Sequence, residues 1–504
     1  MTRMASSWQR WLAVDWALAA VTSVGVFFLA LWLAAGQSIW YDEAYSVLVA
    51  QSPVDDLFAL TAVDAHPPFY YLLVKAWAGV FGWSELSLRS LSALAAGATV
   101  FVMFCIVRRM FSSRIALMTL PFVSLSAYSL RYSYEVRMYA IAGLICALAT
   151  LCLVSVVLSE NTRRQTIFKW SAYSLLVVLG MYTMYMCAVV WVAHAIWLAA
   201  RWHRLRTGPL VKQPWLLAFG AAALLFAAYV PVVMNQLRDS ASSGIESAVT
   251  VEKAVNFFTM SLTYTPIWRA GAWLSCLILV AVLLVLYSLR HVVIEQSHRD
   301  AISLLTLLSM VPMLFEMCVS LPPLSPHFVN RYISHTVVYP LALLPVLLWL
   351  VWRRNGRKQR WVAIISACSV VALQIVGVTT LKATGNFNFD NLTTNHAREV
   401  RDSVECSPQN TVVADTPLEG IGFSYYFADC PLYFASNDEV AFHGGYAPLH
   451  GSDRRISSSS SIGTPELTVL RMEEAGKLLV DDRYELVRTD RIGSAIVDHY
   501  ALRP

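Results

Sequence analysis

Apolar and polar residues fall along this chain in long blocks. Runs of roughly 20 mostly apolar residues recur over most of its length, the pattern of helices that cross a lipid bilayer. The first run, WALAAVTSVGVFFLALWLAA at 16–35, carries no charge. The pattern predicts about eleven spans, at 16–35, 87–107, 115–130, 139–158, 170–184, 186–200, 215–234, 270–289, 301–320, 333–352 and 361–381. Residues 170–200 form one apolar block, and YTMYM at 182–186 is its expected break. The first run is too long and too poorly flanked for a cleaved signal peptide, and is read as a retained helix.

The polar residues between the blocks set orientation. Arg3 and Arg10 precede the first span, and basic clusters recur at 108–114, 162–169, 201–206, 290–299 and 353–360. Placing every cluster in the cytoplasm makes the spans alternate consistently. The N-terminus is then cytoplasmic, the chain is a multi-pass protein of the plasma (inner) membrane, and residues 382–504 lie outside. The expected domains are 1–381 in the membrane and 382–504 as an extracytoplasmic domain. The first outer loop is 36–86. Within it, PPFYYLLVKAWAGVFG at 67–82 is too short to span and is expected as an amphipathic helix in the interface.

Composition agrees. Of 504 residues, 57% are hydrophobic and only 14% charged, against about a quarter charged in soluble chains. Mean hydropathy is +0.54. The net charge of +5 resides in the short clusters, so it gives no reason to expect nucleic acid as a partner.

Beyond 382 the pattern changes. HAREVRDSVEC and LEGIGFSYYFA read as helices and TVVAD and LYFAS as strands, with YELVRTD and SAIVDHYAL as a closing strand pair. This is a small α/β domain. SDRRISSSSSIG at 452–463 reads as a mobile loop. Seven of the nine cysteines lie in or near apolar runs. Cys406 and Cys430 lie in the outer domain, where an oxidising compartment permits a disulfide; two unpaired buried thiols are the other reading. Asn391-Leu-Thr393 matches a glycosylation sequon and is read as coincidence.

Candidate chemistry collects in three outer loops. WYDEAYS brings Asp42 and Glu43, and DAHPPFYY brings Asp64 and His66. SLRYSYEVRMYA brings Arg131, Glu135 and Arg137, and PHFVNRYISH brings His327, Arg331 and His335. Charges beside hydrocarbon are costly and point to function by default. Arginine forks suit a phosphate, and a carboxylate suits proton removal from an attacking hydroxyl. Each also has a plainer reading: solvated acids, arginines pairing with Glu135 or snorkelling, a histidine at a helix start, Arg331 as an interface anchor. Tyr41, Tyr70, Tyr134 and Tyr139 are candidates for a donor or acceptor site, or members of an aromatic belt.

The motifs D-E-A-Y-S, D-x-H-P-P-x-Y-Y and Y-S-Y-E-x-R-M-Y-A together resemble the family 39 type of integral-membrane GT-C glycosyltransferases. That family includes protein O-mannosyltransferases and lipid A aminoarabinose transferases. The resemblance covers roughly residues 10–350 and is densest over 36–145. It implies an all-α polytopic GT-C protein with a small outer α/β domain. The implied reaction moves a sugar from a polyprenyl-phosphate carrier to a hydroxyl acceptor on protein, glycolipid or cell-wall glycan, with inversion. Carried over by motif, Asp42 is the base with Glu43 beside it, and Glu135 is the second acid. His66, Arg331, Arg137 and Arg131 lie toward the donor phosphate. In the aminoarabinose transferases an acid and a lysine precede the Pro-Pro pair; here Ala65 and His66 stand there. That departure puts a divalent-metal site in doubt, with Asp64 and His66 as possible ligands. Spans nearly free of charge apart from Glu316 speak against the alternative of a lipid or solute transporter, which needs polar groups near the bilayer midplane.

Overall fold

The computed structural model describes residues 2–205, 207–240, 295–320, 330–353, 356–384, 396–472, 478 and 480–503. The expected span 270–289, His327 and the sequon at 391–393 lie outside these residues. The described helices are α1 (Thr2–Ala34), α2 (Tyr41–Gln51), α3 (Val54–Val63), α4 (Phe69–Phe81), α5 (Glu85–Met110), α6 (Ser113–Ser124), α7 (Ala127–Arg131), α8 (Tyr139–Val157), α9 (Arg163–Thr183), α10 (Cys187–Leu205), α11 (Pro214–Ala227) and α12 (Val230–Ser240). They continue as α13 (Gln296–Val319), α14 (Val338–Trp352), α15 (Arg357–Thr384), α16 (Ala397–Ser403) and α17 (Pro417–Ser424). The strands are β1 (Asn410–Ala414), β2 (Leu432–Ala435), β3 (Arg455–Ile456), β4 (Glu466–Met472), β5 (Tyr484–Ile492) and β6 (Ala495–Leu502). These residues form two compact units. One holds residues 2–33, 89–230 and 295–384; the other holds 34–88, 231–240 and 396–503.

In the first unit, five described segments are long and apolar enough to cross a membrane: Ala13–Ala34, Glu85–Met110, Tyr139–Val157, His298–Val319 and Arg357–Ala383. The apolar block at 170–200 breaks at 184–186 between α9 and α10, inside the expected YTMYM. Thr162 caps α9 by accepting the Gln165 N–H while the Gln165 side chain accepts the Thr162 N–H. Three expected spans are broken. The run 115–130 stops at Ser124, because Ser126 begins a new short helix by accepting the Ser129 N–H. The run 215–234 stops at Ala227, because Pro231 has no N–H to continue the ladder. The run 333–352 becomes helical only from Val338, after a 3-10 segment at Asn330–Thr336, with Pro340 in its first turn.

Packing within this unit is close. A Cβ at Gly97 would lie 2.6 Å from the Ser23 carbonyl oxygen, so only glycine lets α1 and α5 approach there, and Ser23 Oγ donates to the Gly97 carbonyl at 2.5 Å. Four helices meet in a buried polar knot. Thr150 Oγ1 lies 3.1 Å from His194 Nε2 and 2.9 Å from the Tyr339 hydroxyl, and the Tyr173 hydroxyl lies 3.0 Å from His194 Nδ1.

The second unit is built on a six-stranded sheet of order β3-β2-β1-β4-β6-β5. The first four strands are parallel, and β5 and β6 form the expected antiparallel closing pair, turned at Gly493 with φ +63. Strand alternation sends Val412 to one face with Val400, Phe423, Phe427, Leu470 and Val497. It sends Val413 to the other face with Ile456, Leu467, Val469 and Tyr484. Cys406 and Cys430 form a disulfide. The segment 452–463 is not the expected loop throughout: Arg455–Ile456 forms the edge strand β3, and buried Ser459 accepts the Asp481 N–H at 2.6 Å. Ser459 thereby satisfies a backbone donor of the turn before β5. The segment 67–82 is helical as α4, closed by Gly82 at φ +84.

Candidate functional site

The sequence candidates occur in both units, so each group is described within its own.

In the second unit, Asp42 and Glu43 occupy the first turn of α2, where the helix dipole favours negative charge. Glu43 is 1% exposed, and its carboxylate accepts the Trp40 N–H at 3.3 Å. The acid therefore closes the start of the helix that carries half-buried Asp42. The Tyr41 hydroxyl donates to the Gly445 carbonyl at 3.2 Å. Asp64 follows α3, and its carboxylate accepts from His66 Nδ1 at 2.9 Å. Tyr70 is buried and packs edge-on against Tyr71, which in turn meets Tyr45 of α2. Lys75 donates to the Ala50 and Ser52 carbonyls and so ties α4 to the end of α2.

The strand domain grips this loop on its other side. The Ile39 N–H donates to the Tyr426 hydroxyl at 2.8 Å. That hydroxyl donates to Glu85 at 2.8 Å, and Arg398 places its guanidinium on both Glu85 oxygens. Tyr425 donates to the Trp83 carbonyl at 2.9 Å. The backbone entering α2 and the residues leading into α5 are thus held by 398–426. The sequence analysis missed these residues; no local motif marks a tyrosine 387 positions from its partner.

In the first unit, Arg131 and Glu135 form a 2.6 Å ion pair, with side chains only 5% and 1% exposed. The Arg131 guanidinium lies 5.5 Å from the Tyr132 ring and 5.9 Å from the Tyr134 ring. Ser92 donates to the Glu135 carbonyl at 2.6 Å, fixing the loop backbone. Arg137 and Tyr134 are buried, and Tyr139 stacks edge-on against Tyr132. Burial pushes the Tyr132 phenol up to about 12, with Arg131, Glu135 and Arg331 all near enough to act on it. The structure therefore gathers Arg131, Glu135 and Arg331 around Tyr132. Tyr132 was not singled out in the sequence, because one tyrosine in YSYEVRMY looks like the next. His335 lies on the same 3-10 segment as Arg331 and is buried.

Fully buried acids need partners or hydrogen bonds, and each unit supplies them by local geometry: a helix cap for Glu43, a cation for Glu135. A phosphate would find cations in the 131–137 segment and the 330–336 segment. A metal fits less well at Asp64 and His66, because their mutual hydrogen bond already occupies Nδ1 and a carboxylate oxygen.

A family model described as dolichyl-phosphate-mannose-protein mannosyltransferase matches residues 65–234. No curated protein matches the chain at a significant level. Among solved structures, ArnT from Cupriavidus metallidurans bound to undecaprenyl phosphate matches with a TM-score of 0.59 and 12% identity, covering 97% of this chain and 98% of that one. The apo state of the same protein matches with a TM-score of 0.59 and 12% identity, covering 98% of each. The Archaeoglobus fulgidus oligosaccharyltransferase in complex with Zn and sulfate matches with a TM-score of 0.47 and 11% identity, covering 82% of this chain and 61% of that one. The chain has the ArnT-like GT-C fold, mostly helical with a small C-terminal sheet domain. The family model and the fold support the glycosyltransferase resemblance and lend none to transport.

Proposed function

We propose that this chain transfers a sugar from a polyprenyl-phosphate carrier to a hydroxyl acceptor, inverting the anomeric carbon, at the outer face of the plasma membrane. The observation that carries this reading is the fold. Nearly the whole chain follows the fold of a protein whose structure holds undecaprenyl phosphate. The family model over 65–234 points to the same class of lipid-linked donor.

In the reaction, the acceptor oxygen bonds to the anomeric carbon as the bond from that carbon to the phosphate oxygen breaks. The acceptor proton passes to Asp42, and the electron pair leaves on the phosphate. Asp42 acts as base from the first turn of α2, and Glu43 positions it by capping that helix. Arg331, with Arg137 and Arg131, stabilises the departing phosphate through preorganised positive charge. Glu135 holds the Arg131 fork, and His66, oriented by Asp64, lies toward the phosphate. Tyr41, Tyr70, Tyr134 and Tyr139 shape the donor and acceptor sites. Residues 1–381 carry the reaction with the N-terminus in the cytoplasm, and 382–504 form the outer domain. The acceptor is a hydroxyl on protein, glycolipid or cell-wall glycan. No step runs through a metal at Asp64 and His66.

The test is sugar transfer by the purified protein in lipid. A panel of radiolabelled polyprenyl-phosphate hexoses and pentoses serves as donors, and a membrane extract serves as acceptor. Transfer from one donor, reduced about 10²–10⁴-fold in Asp42→Asn, is the expected result. Normal turnover by Asp42→Asn would overturn the base assignment. Neither transfer nor donor hydrolysis by the wild type from any donor would overturn the reaction class.

A further inference from the structure

We propose that Cys146, Cys187 and His335 form a binding site for a thiophilic divalent ion, Zn²⁺, inside the first unit. The two thiol sulfurs and an imidazole nitrogen all lie within 4.8 Å of one another, and all three residues are buried. They come from three elements: α8, the first residue of α10, and the 3-10 segment at 330–336. None takes part in the proposed transfer.

One glycine, Gly180, makes this convergence sterically possible, and a second, Gly143, marks where two of the elements touch. At Gly143, three residues before Cys146, a Cβ would stand 3.6 Å from the His335 carbonyl oxygen, so α8 and the 330–336 segment touch there. At Gly180 a Cβ would come within 2.7 Å of the Trp191 ring and 3.3 Å of the Cys187 Cβ, so any larger residue would push α10 and its cysteine away.

His335 supplies the independent sign of a ligand. It is 4% exposed, yet neither ring nitrogen has a hydrogen bond of ordinary geometry. Its ring lies near the backbone of Met186 and Tyr332 without aligning well to either. A buried imidazole left in that condition is costly, and metal ligation is one of the few things that satisfies it. Beside it the two thiols hydrogen-bond each other.

Charge selects the ion. Two thiolates and one neutral imidazole around Zn²⁺ sum to zero, the favourable balance for a site away from water. A monovalent ion would leave a net negative charge buried. As the ion binds, two Zn–S bonds and one Zn–N bond form and two S–H bonds break. Both protons pass to the aqueous buffer and no electron moves. Zn–S and Zn–N bonds of about 2.3 and 2.0 Å set tetrahedral ligands roughly 3.5–3.8 Å apart, so the three side chains need close by only about an ångström. The fourth position is left for water. A cavity of about 60 Å³ adjoins His335, bordered also by Tyr132, Ser133, Tyr139, Gly143 and Ser334. Since His335 shares its short segment with Arg331, the bound ion also fixes the backbone that carries that arginine.

The test is metal content of the intact protein in detergent, stripped with chelator, incubated with Zn²⁺ alone and desalted. One zinc per chain is expected. Cys146→Ser and Cys187→Ser should each lose it, His335→Gln should weaken it at least tenfold, and Cys105→Ser and Cys318→Ser should keep it. Cobalt in place of zinc should give a thiolate charge-transfer band that vanishes in the same variants. Substoichiometric zinc in the wild type, undiminished zinc in the Cys146→Ser and Cys187→Ser double variant, no thiolate charge-transfer band with cobalt in the wild type, or a Cys146–Cys187 disulfide in the isolated protein would each overturn the site.

Discussion

The hydroxyl of Tyr426 and the carboxylate of Glu85 share a 2.8 Å hydrogen bond. The same hydroxyl accepts the Ile39 N–H, three residues before Asp42. Tyr426→Phe leaves that backbone donor without its partner, at a local cost of about 1–3 kcal/mol. Hydrogen exchange at the Ile39 amide should accelerate, while the exchange of β1 and β4 stays unchanged. Because Tyr426 acts through the start of α2, sugar transfer should fall in kcat with little change in donor KM. Unchanged exchange at Ile39 would refute the positioning role.

The buried pair Arg131–Glu135 separates stability from function. Removing one partner leaves an uncompensated buried charge, so Arg131→Ala should destabilise the protein by about 3–5 kcal/mol. Replacing both, as in Arg131→Met with Glu135→Leu, should recover most of that loss in thermal unfolding yet stay inactive in transfer. Activity in the double variant would show that the pair is structural alone.

Glu419 stands at the start of α17 beside Asp415. Its carboxylate accepts the Met472 N–H at 2.7 Å and the Thr416 hydroxyl at 3.1 Å. Burial raises its pKa from the ordinary 4.5 to about 7, and the neighbouring Asp415 carboxylate adds to the rise. The fold then holds this proton more tightly than the unfolded chain does. Its stabilising effect is complete below about pH 4.5 and is lost as pH climbs to about 7. The loss is on the order of 3 kcal/mol. Hydrogen exchange of the β4 amides in the intact protein, corrected for intrinsic rates, should show this fall in protection. Glu419→Gln, which keeps the acceptor oxygen without the charge, should flatten it.

The disulfide Cys406–Cys430 joins residues 24 apart in sequence. Constraint of the unfolded chain by a loop of that size contributes about 3 kcal/mol. Cys406→Ala with Cys430→Ala should lower the stability of the C-terminal sheet by roughly that amount, read by denaturant unfolding with and without reductant. In the double variant, reductant should have no further effect.

The order of apolar blocks, the break near 184–186, the helix at 67–82 and four of the six sheet strands, β1, β2, β5 and β6 but not β3 and β4, were readable in the sequence. Each depends on periodicity, length or a local cap, and those act over a few residues. The candidates for handling phosphate and protons were picked out by residue type, since Asp42, Glu135 and Arg331 sit in polar stretches between apolar runs, where charge stands out. What lay beyond reach were relationships set by packing. Nothing near Glu43 announces that it closes its own helix and leaves Asp42 as the half-buried acid. Nothing near Tyr426 or Arg398 points to Glu85, and one serine between Leu125 and Ala127 sufficed to break an apolar run that length alone makes a span. The cluster of Cys146, Cys187 and His335 is the plainest case. By sequence it is two ordinary buried thiols and a loop histidine, and only the packing of α8, α10 and the 330–336 segment, with the close approach allowed at Gly180, brings their ligand atoms together. Local chemistry decided most of the elements and the residue types that stand as candidates. Contacts between residues tens to hundreds of positions apart, which no local pattern encodes, decided which of those residues meet.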